Sequence, residues 1–177
     1  MTLEQRKAVL GALNGSSIHA ANDAAQAIWQ DPDPALLRGV IRTLRHGRRV
    51  HNRVEAAYAL RAMRGLGGTA TLEWVLSNRS EKTQVRAFAA ETLAHRHRRA
   101  SHAVLLRNLK DPSREVRFWC AFALGQMRER RALPILNYLA ANDHRVVNGW
   151  WAVSKEAAHA VREIKNKQAG RCIFCRS

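Results

Sequence analysis

Leu109-Lys110-Asp111-Pro112-Ser113-Arg114-Glu115-Val116-Arg117-Phe118-Trp119-Cys120-Ala121-Phe122-Ala123-Leu124-Gly125 holds a helix end, a turn and the start of an amphipathic helix in one short run. Asp111-Pro112-Ser113 are turn residues, because proline cannot continue a helix and Asp and Ser satisfy turn backbone with their side chains. With Val116 as origin and about 100° per residue, Cys120, Ala123, Leu124 and Met127 fall on one side. That side packs on the helix before the turn. Positions 121 and 119 then face the two neighbouring units, and Phe118 and Phe122 lie one turn apart on the remaining face.

The small-residue core of this helix recurs along the chain. It reads Ala24-Ala25-Gln26-Ala27-Ile28, Ala56-Ala57-Tyr58-Ala59-Leu60, Ala89-Ala90-Glu91-Thr92-Leu93, Cys120-Ala121-Phe122-Ala123-Leu124 and Ala157-Ala158-His159-Ala160-Val161, at spacings of 32, 33, 31 and 37 residues. Four residues before the small pair stands Val85 or Val116, followed by Arg86 or Arg117, with Asn52-Arg53 in the second copy. Turn residues precede the later cores (Asp31-Pro32-Asp33-Pro34, Asn78-Arg79-Ser80, Asp111-Pro112-Ser113, Asn142-Asp143), and a second amphipathic stretch runs between successive cores. Each repeat is therefore two helices joined by a turn containing Asp or Asn. One such pair cannot bury its own apolar stripe, so the pairs stack and share a core.

The 109–125 segment resembles a HEAT-like repeat of the phycobilisome-lyase type, and the resemblance extends from about Thr2 to Lys165. It implies an all-α fold, a right-handed α-solenoid of about five HEAT-like helix pairs over residues 1–165, followed by a basic, cysteine-containing tail at 166–177. The first copy has Ala20-Ala21 in place of the Val-Arg pair, as an end cap does, and the last carries about six extra residues around Val146 to Trp151. Such repeats occur in lyases, scaffolds, assembly factors and nucleic-acid enzymes, so the resemblance speaks to fold and not to activity. It also implies that Arg53, Arg86 and Arg117 are structural, each pairing with a turn carboxylate such as Asp111.

The remaining face of each second helix lines the concave surface of a solenoid. Its positions are Asn22 and Gln26, Val54 and Tyr58, Ala87 and Glu91, Phe118 and Phe122, Lys155 and His159. Tyr58, Phe118, Phe122 and His159 are the expected partner-binding residues, since exposed aromatics in a hollow anchor a partner side chain or an unpaired base. The structural alternative packs those aromatics against the enlarged fifth repeat and its Trp150-Trp151 pair.

The chain carries 30 basic against 14 acidic residues, a formal charge of +16, which points to a polyanionic partner and says nothing of fold. The basic residues gather where the second helices end: Arg61 and Arg64, then Arg96, Arg98 and Arg99, then Arg128, Arg130 and Arg131. In stacked pairs these form a positive edge able to bind anions along its length. One cation per helix C-terminus needs no partner, because the helix dipole favours it by about 0.3–1 kcal/mol. Clusters of three exceed that requirement.

Other chemistries find little support. A glycosylase of the HEAT-like alkylpurine type needs an acid near its tryptophans; Asp143 and Glu156 are the nearby carboxylates, in no recognisable constellation. His95, His97 and His102 sit among arginines that oppose a divalent cation. Cys172-Ile173-Phe174-Cys175 is a lone pair of metal-type ligands with no second pair. Phosphate-binding glycine loops, nucleophile elbows and paired catalytic carboxylates are missing from the sequence. No catalytic residue, metal or cofactor is therefore expected, and no membrane span. Three cysteines without a secretory leader suggest a cytoplasmic protein. The expected function is a non-enzymatic scaffold or adaptor for an acidic protein partner, with a nucleic-acid-binding module as the alternative.

Overall fold

The computed structural model describes residues 1–96 and 99–166, apart from the Arg99 side chain. The tail expected at 166–177, with its two cysteines, lies outside the described residues from 167 onward. The described residues form ten α-helices in five consecutive pairs and no strand: α1 Leu3–Leu13 with α2 Ile18–Gln30, α3 Leu37–His46 with α4 Val50–Ala62, α5 Thr69–Ser77 with α6 Thr83–Ala94, α7 His102–Asn108 with α8 Arg114–Gln126, and α9 Leu133–Asn142 with α10 Val153–Lys165. All five small-residue cores fall on the second helix of a pair, as expected. The helices group into two compact units, Met1–Arg96 and His97–Ser177.

Local chemistry sets the boundaries. Thr2 opens α1 with a capping box, its hydroxyl accepting from the Gln5 N–H while the Gln5 amide oxygen accepts from the Thr2 N–H. Ser17 and Ser113 cap α2 and α8 in the same sense, accepting from the Ala20 and Val116 N–H groups. The α4–α5 turn uses Gly65, Gly67 and Gly68 at φ of 87°, 121° and 83°, the left-handed region in which glycine pays no Cβ penalty. At the end of α8 the same conformation is taken by Arg128 (φ 52°). There Glu129 N–H reaches Leu124 O and Arg128 N–H reaches Gly125 O, the paired bonds of a Schellman stop.

In the first unit α2 packs on α4 and α4 on α6; in the second α8 packs on α10. Ala56, Ala57, Ala59, Leu60, Ala89, Ala90, Leu93, Ala121, Ala123, Leu124 and Ala157 are fully buried at these contacts. Thr92 stands where the other four copies carry alanine, and its hydroxyl donates to Ala57 O at 3.0 Å. A close approach of two helices occurs at Gly125, where a Cβ would lie 2.8 Å from both Cα and Cβ of Ala160. Glycine inside a helix ordinarily costs about 0.5–1 kcal/mol relative to alanine, so Gly125→Ala would stabilise an uncrowded helix. Here the added methyl meets backbone that cannot yield, and we expect a net loss of about 1–3 kcal/mol in urea unfolding. A stabilised variant would show that α8 and α10 are not in such contact.

Three repeat arginines close the turns within pairs. Arg53 Nη1 donates to Gly47 O (2.6 Å), Arg86 Nε to Leu76 O (3.2 Å) and Arg117 Nη1 to Asp111 O. Arg53 and Arg117 also reach a carboxylate of the following pair, Glu81 at 2.9 Å and Asp143 at 2.7 Å. Arg117 therefore takes the backbone carbonyl of Asp111 and the side chain of Asp143, where the resemblance implied the Asp111 carboxylate. The Asp111 side chain has a local role, its Oδ1 accepting from Ser113 N–H at 2.9 Å.

Candidate functional site

The extra residues of the last repeat form a small closed loop between α9 and α10. Val146 and Ala152 make an antiparallel bridge. Trp150 N–H donates to Val147 O (2.9 Å) across a turn with Gly149 at φ 76°, and Ser154 N–H donates to Asp143 O (2.7 Å) at the base. Asn148-Gly149 is the sequence signal for such a turn, because both residues tolerate the conformations it needs. The loop delivers Trp150 and Trp151 onto the face shared by α8 and α10.

There they meet the aromatics of α8. Phe118 lies 5.9 Å from Trp150 and 6.0 Å from Trp151, Trp119 lies 5.1 Å from Trp150 and 5.6 Å from Phe122, and the two loop tryptophans are 5.6 Å apart. All five contacts are tilted or edge-to-face, the latter an arrangement that ring quadrupoles prefer. Phe118 is only 1% exposed, so it cannot be the surface anchor expected of it; the structural alternative holds for this residue. Phe122 is half-buried. The exposed aromatic surface is instead Trp150 and Trp151, at 48% and 44%.

Beside Trp151 opens a cleft of about 260 Å³ lined by Trp151, Lys155, His159 and Arg162. Lys155 and Arg162 are exposed and His159 half-exposed, so the expected site residue His159 does sit on an open wall. Among the described residues no carboxylate lines this cleft, and Glu163 Oε1 stands 3.9 Å from His159 Nε2 one turn along α10. Behind the cleft, Glu156 is buried and its Oε2 accepts from Trp151 Nε1 at 2.9 Å, which fixes the indole. Burial pushes the Glu156 carboxyl above the usual range, against the opposing pull of the Trp151 hydrogen bond and of His159 and Arg162. Asp143, the other carboxylate near the tryptophans, is held between Arg117 (2.7 Å) and Arg145 (2.8 Å). Both acids thus have structural partners.

Tyr58 belongs to the first unit and to a different cluster. It stacks on Trp29 at 5.5 Å, and the Arg61 guanidinium lies 5.4 Å from the Trp29 ring. Arg61 also pairs with Glu91 at 3.4 Å. Burial raises the Glu91 carboxyl, with Arg61 opposing. Trp29 was not among the expected site residues. It lies just beyond the Ala24–Ile28 core, where the spacing pattern assigns no role.

The expected positive edge is thinner than the sequence suggested. Arg96 is buried at 8% exposure and is no part of an edge. Its Nη1 donates to Gly67 O (2.6 Å) and Thr69 Oγ1 (3.0 Å), and its Nη2 to Leu60 O (2.6 Å) and Met63 O (3.1 Å). It satisfies the carbonyls that the end of α4 leaves open. Arg61 is committed as described, and Arg64 is exposed with a long bond to His95 O (3.4 Å). Arg98 and the Arg99 side chain lie outside the described residues. Arg131 is exposed but chelated by Glu129, at 3.0 and 2.9 Å. The Arg131 hydrogen bond is the main reason the Glu129 carboxyl is lowered to about 2, and His102 Nδ1 contacts the same carboxylate. Arg128 and Arg130 have no ion-pair partner among the described residues, Arg128 being half-buried and Arg130 exposed.

Residues 69–152 match the family described as HEAT repeats. Among solved structures, the chain is similar to an engineered protein whose crystal structure comes from the Northeast Structural Genomics Consortium. The two are 19% identical, the likeness covers 92% of this chain and 80% of that one, and the TM-score is 0.58. No curated protein matches the chain. Together with the ten helices, these likenesses establish the fold class, an α-solenoid of HEAT-like helix pairs. No described helix is long and apolar enough to cross a membrane.

Proposed function

We propose that this helical-repeat chain is a cytoplasmic, non-enzymatic adaptor that docks an acidic protein partner on the face shared by α8, α10 and the Trp150–Trp151 loop. The observation that carries the reading is the cleft beside Trp151, walled by Lys155, His159 and Arg162 with no lining carboxylate among the described residues. An exposed indole gives a partner apolar contact area at small entropic cost, and the cations alongside select carboxylates. The Glu156 hydrogen bond holds the Trp151 ring in one orientation before any partner arrives, so little ordering is left to pay on binding. Among the described residues the formerly expected edge contributes Arg64, Arg128 and Arg130 chiefly to long-range attraction.

Single-stranded nucleic acid is the second reading, favoured by the same open indoles, on which bases stack. Capture from extracts of the native host, with and without nuclease and at two salt concentrations, separates the two. We expect a protein partner that survives nuclease. Trp151→Ala should weaken its binding by at least about 2 kcal/mol, the mark of an interface anchor, whereas Arg130→Glu should mainly slow association and cost less than about 1 kcal/mol. Loss of capture on nuclease treatment, with affinity falling steeply as salt rises, replaces the adaptor with the nucleic-acid module.

A further inference from the structure

A second cleft, of about 470 Å³, lies within the His97–Ser177 unit on a different set of residues, between the α7–α8 turn and α9. Its walls are Leu109 and Pro112 from the turn and Pro134, Ile135, Tyr138 and Leu139 from α9. The volume is in the range of roughly 300–1,000 Å³ typical of sites that engulf a ligand. Tyr138, 67% exposed, stands on its rim.

Cations surround this apolar space. Lys110 is exposed and has no ion-pair partner among the described residues, and Arg145 is 59% exposed. Arg117 lines the cleft and is itself 4% exposed; its Nε and Nη1 are committed to Asp143 and Asp111 O, while its buried Nη2 finds no acceptor among the described residues. The two carboxylates nearby are already engaged. Asp143 is shared by Arg117 and Arg145, and Asp111 is buried and accepts from Ser113 N–H. Three cations against two occupied carboxylates leave the cleft positive, with one buried guanidinium donor unused.

We propose that this cleft binds an acidic peptide segment of the partner, taking one bulky apolar side chain between Pro112 and Ile135 with its flanking carboxylates on Lys110 and Arg145. The proposal rests on the adaptor reading and adds a second point of contact. Charge decides the occupant. A second copy of a chain carrying +16 would meet repulsion, and the aliphatic and proline walls offer no pair of aromatic faces between which a base could stack. An acidic segment with one large apolar residue satisfies both the lining and the rim.

The full chain, labelled with ¹⁵N, can be titrated with three capped hexapeptides: Asp-Glu-Leu-Phe-Glu-Asp, its Ala-Ala counterpart, and its Asn/Gln counterpart. The expected result is that the first peptide, at up to ~1 mM, shifts the amides of Ile135, Tyr138 and Leu139, and that the two controls shift them little. Tyr138→Ser and Lys110→Glu, both at exposed positions, should each weaken that binding by about fivefold or more. Shifts confined to Trp151, Lys155, His159 and Arg162 overturn the second contact and leave the adaptor reading standing. Equal shifts with all three peptides show unselective apolar adhesion and overturn it, as do absent shifts or cleft shifts caused by an unstructured oligonucleotide. The adaptor reading itself fails on the nuclease arm of the capture experiment, so the two failures are distinct.

Discussion

Phe118→Ala is expected to lower the unfolding free energy by about 3–5 kcal/mol, the range for removing a buried phenyl ring. The ring is 1% exposed and sits within 6.0 Å of Trp119, Trp150 and Trp151. Its loss leaves a cavity under the loop that positions the two open indoles, and such a loop has little freedom to collapse because the Val146–Ala152 bridge and the Ser154–Asp143 bond pin it at its base. Urea unfolding followed by circular dichroism reads the effect directly. Phe122→Ala, at a half-buried position, is the control and should cost less than half as much. If Phe118→Ala left the unfolding midpoint unchanged and weakened only partner capture, the ring would be the surface anchor its sequence position suggests, and the packing described above would be wrong.

Arg117→Met is the second large effect, an expected loss of about 3–5 kcal/mol. The side chains of Arg117 and Asp143 are 5% and 4% exposed, and the guanidinium also closes the α7–α8 turn through Asp111 O. Removing the cation leaves a buried carboxylate with Arg145 as its remaining guanidinium partner. The double variant R117M/D143N should recover part of the loss, because it removes the stranded charge along with its partner. A pH series adds an independent readout. Burial by itself would raise the Asp143 carboxyl, but hydrogen bonds from Arg145 and Arg117 more than offset it and hold it below the ordinary value. A folded-state pKa below the unfolded one gives stability that is complete above about pH 4 and lost as pH falls further. That acid-side loss should therefore be shallower in R117M than in the parent. An unchanged acid limb with full stability would show that the pair contributes nothing.

The pairing of helices was legible because it rests on a constraint that sequence cannot hide. Helices packed closely need small residues at a fixed interval, and Ala56-Ala57, Ala89-Ala90 and Cys120-Ala121 are buried where that constraint puts them. Arg96 and Phe118 were misplaced for one shared reason. Periodicity gives the direction a position faces in an isolated helix, and it cannot know which carbonyls or rings another segment brings to that face. Arg96 stands in the repeat register of Met63 and Met127, one residue before that of Arg64 and Arg128, and the glycine turn at 65–68 brings the end of α4 within its reach. Phe118 lies on the outward face of α8, but the loop after α9 folds over it. The Asn148-Gly149 pair was the readable clue that those extra residues turn back on themselves. Asp143 was visible as a turn residue, but its two arginine partners lie 26 positions before it and two after, a distance over which spacing alone does not choose between Asp111 and Asp143.

The self-bridged loop between α9 and α10 makes this molecule modular in a practical sense. Its two stems are tied to each other, at Val146 with Ala152 just before α10 and at Asp143 with Ser154 in its first turn. The Asn148-Gly149 turn at its tip can therefore be lengthened while Trp150 and Trp151 stay seated on Phe118, and the insertion costs only the slowly growing entropy of closing a longer loop. Evolution or an engineer could insert a recognition element at that turn and leave the aromatic packing beneath it in place.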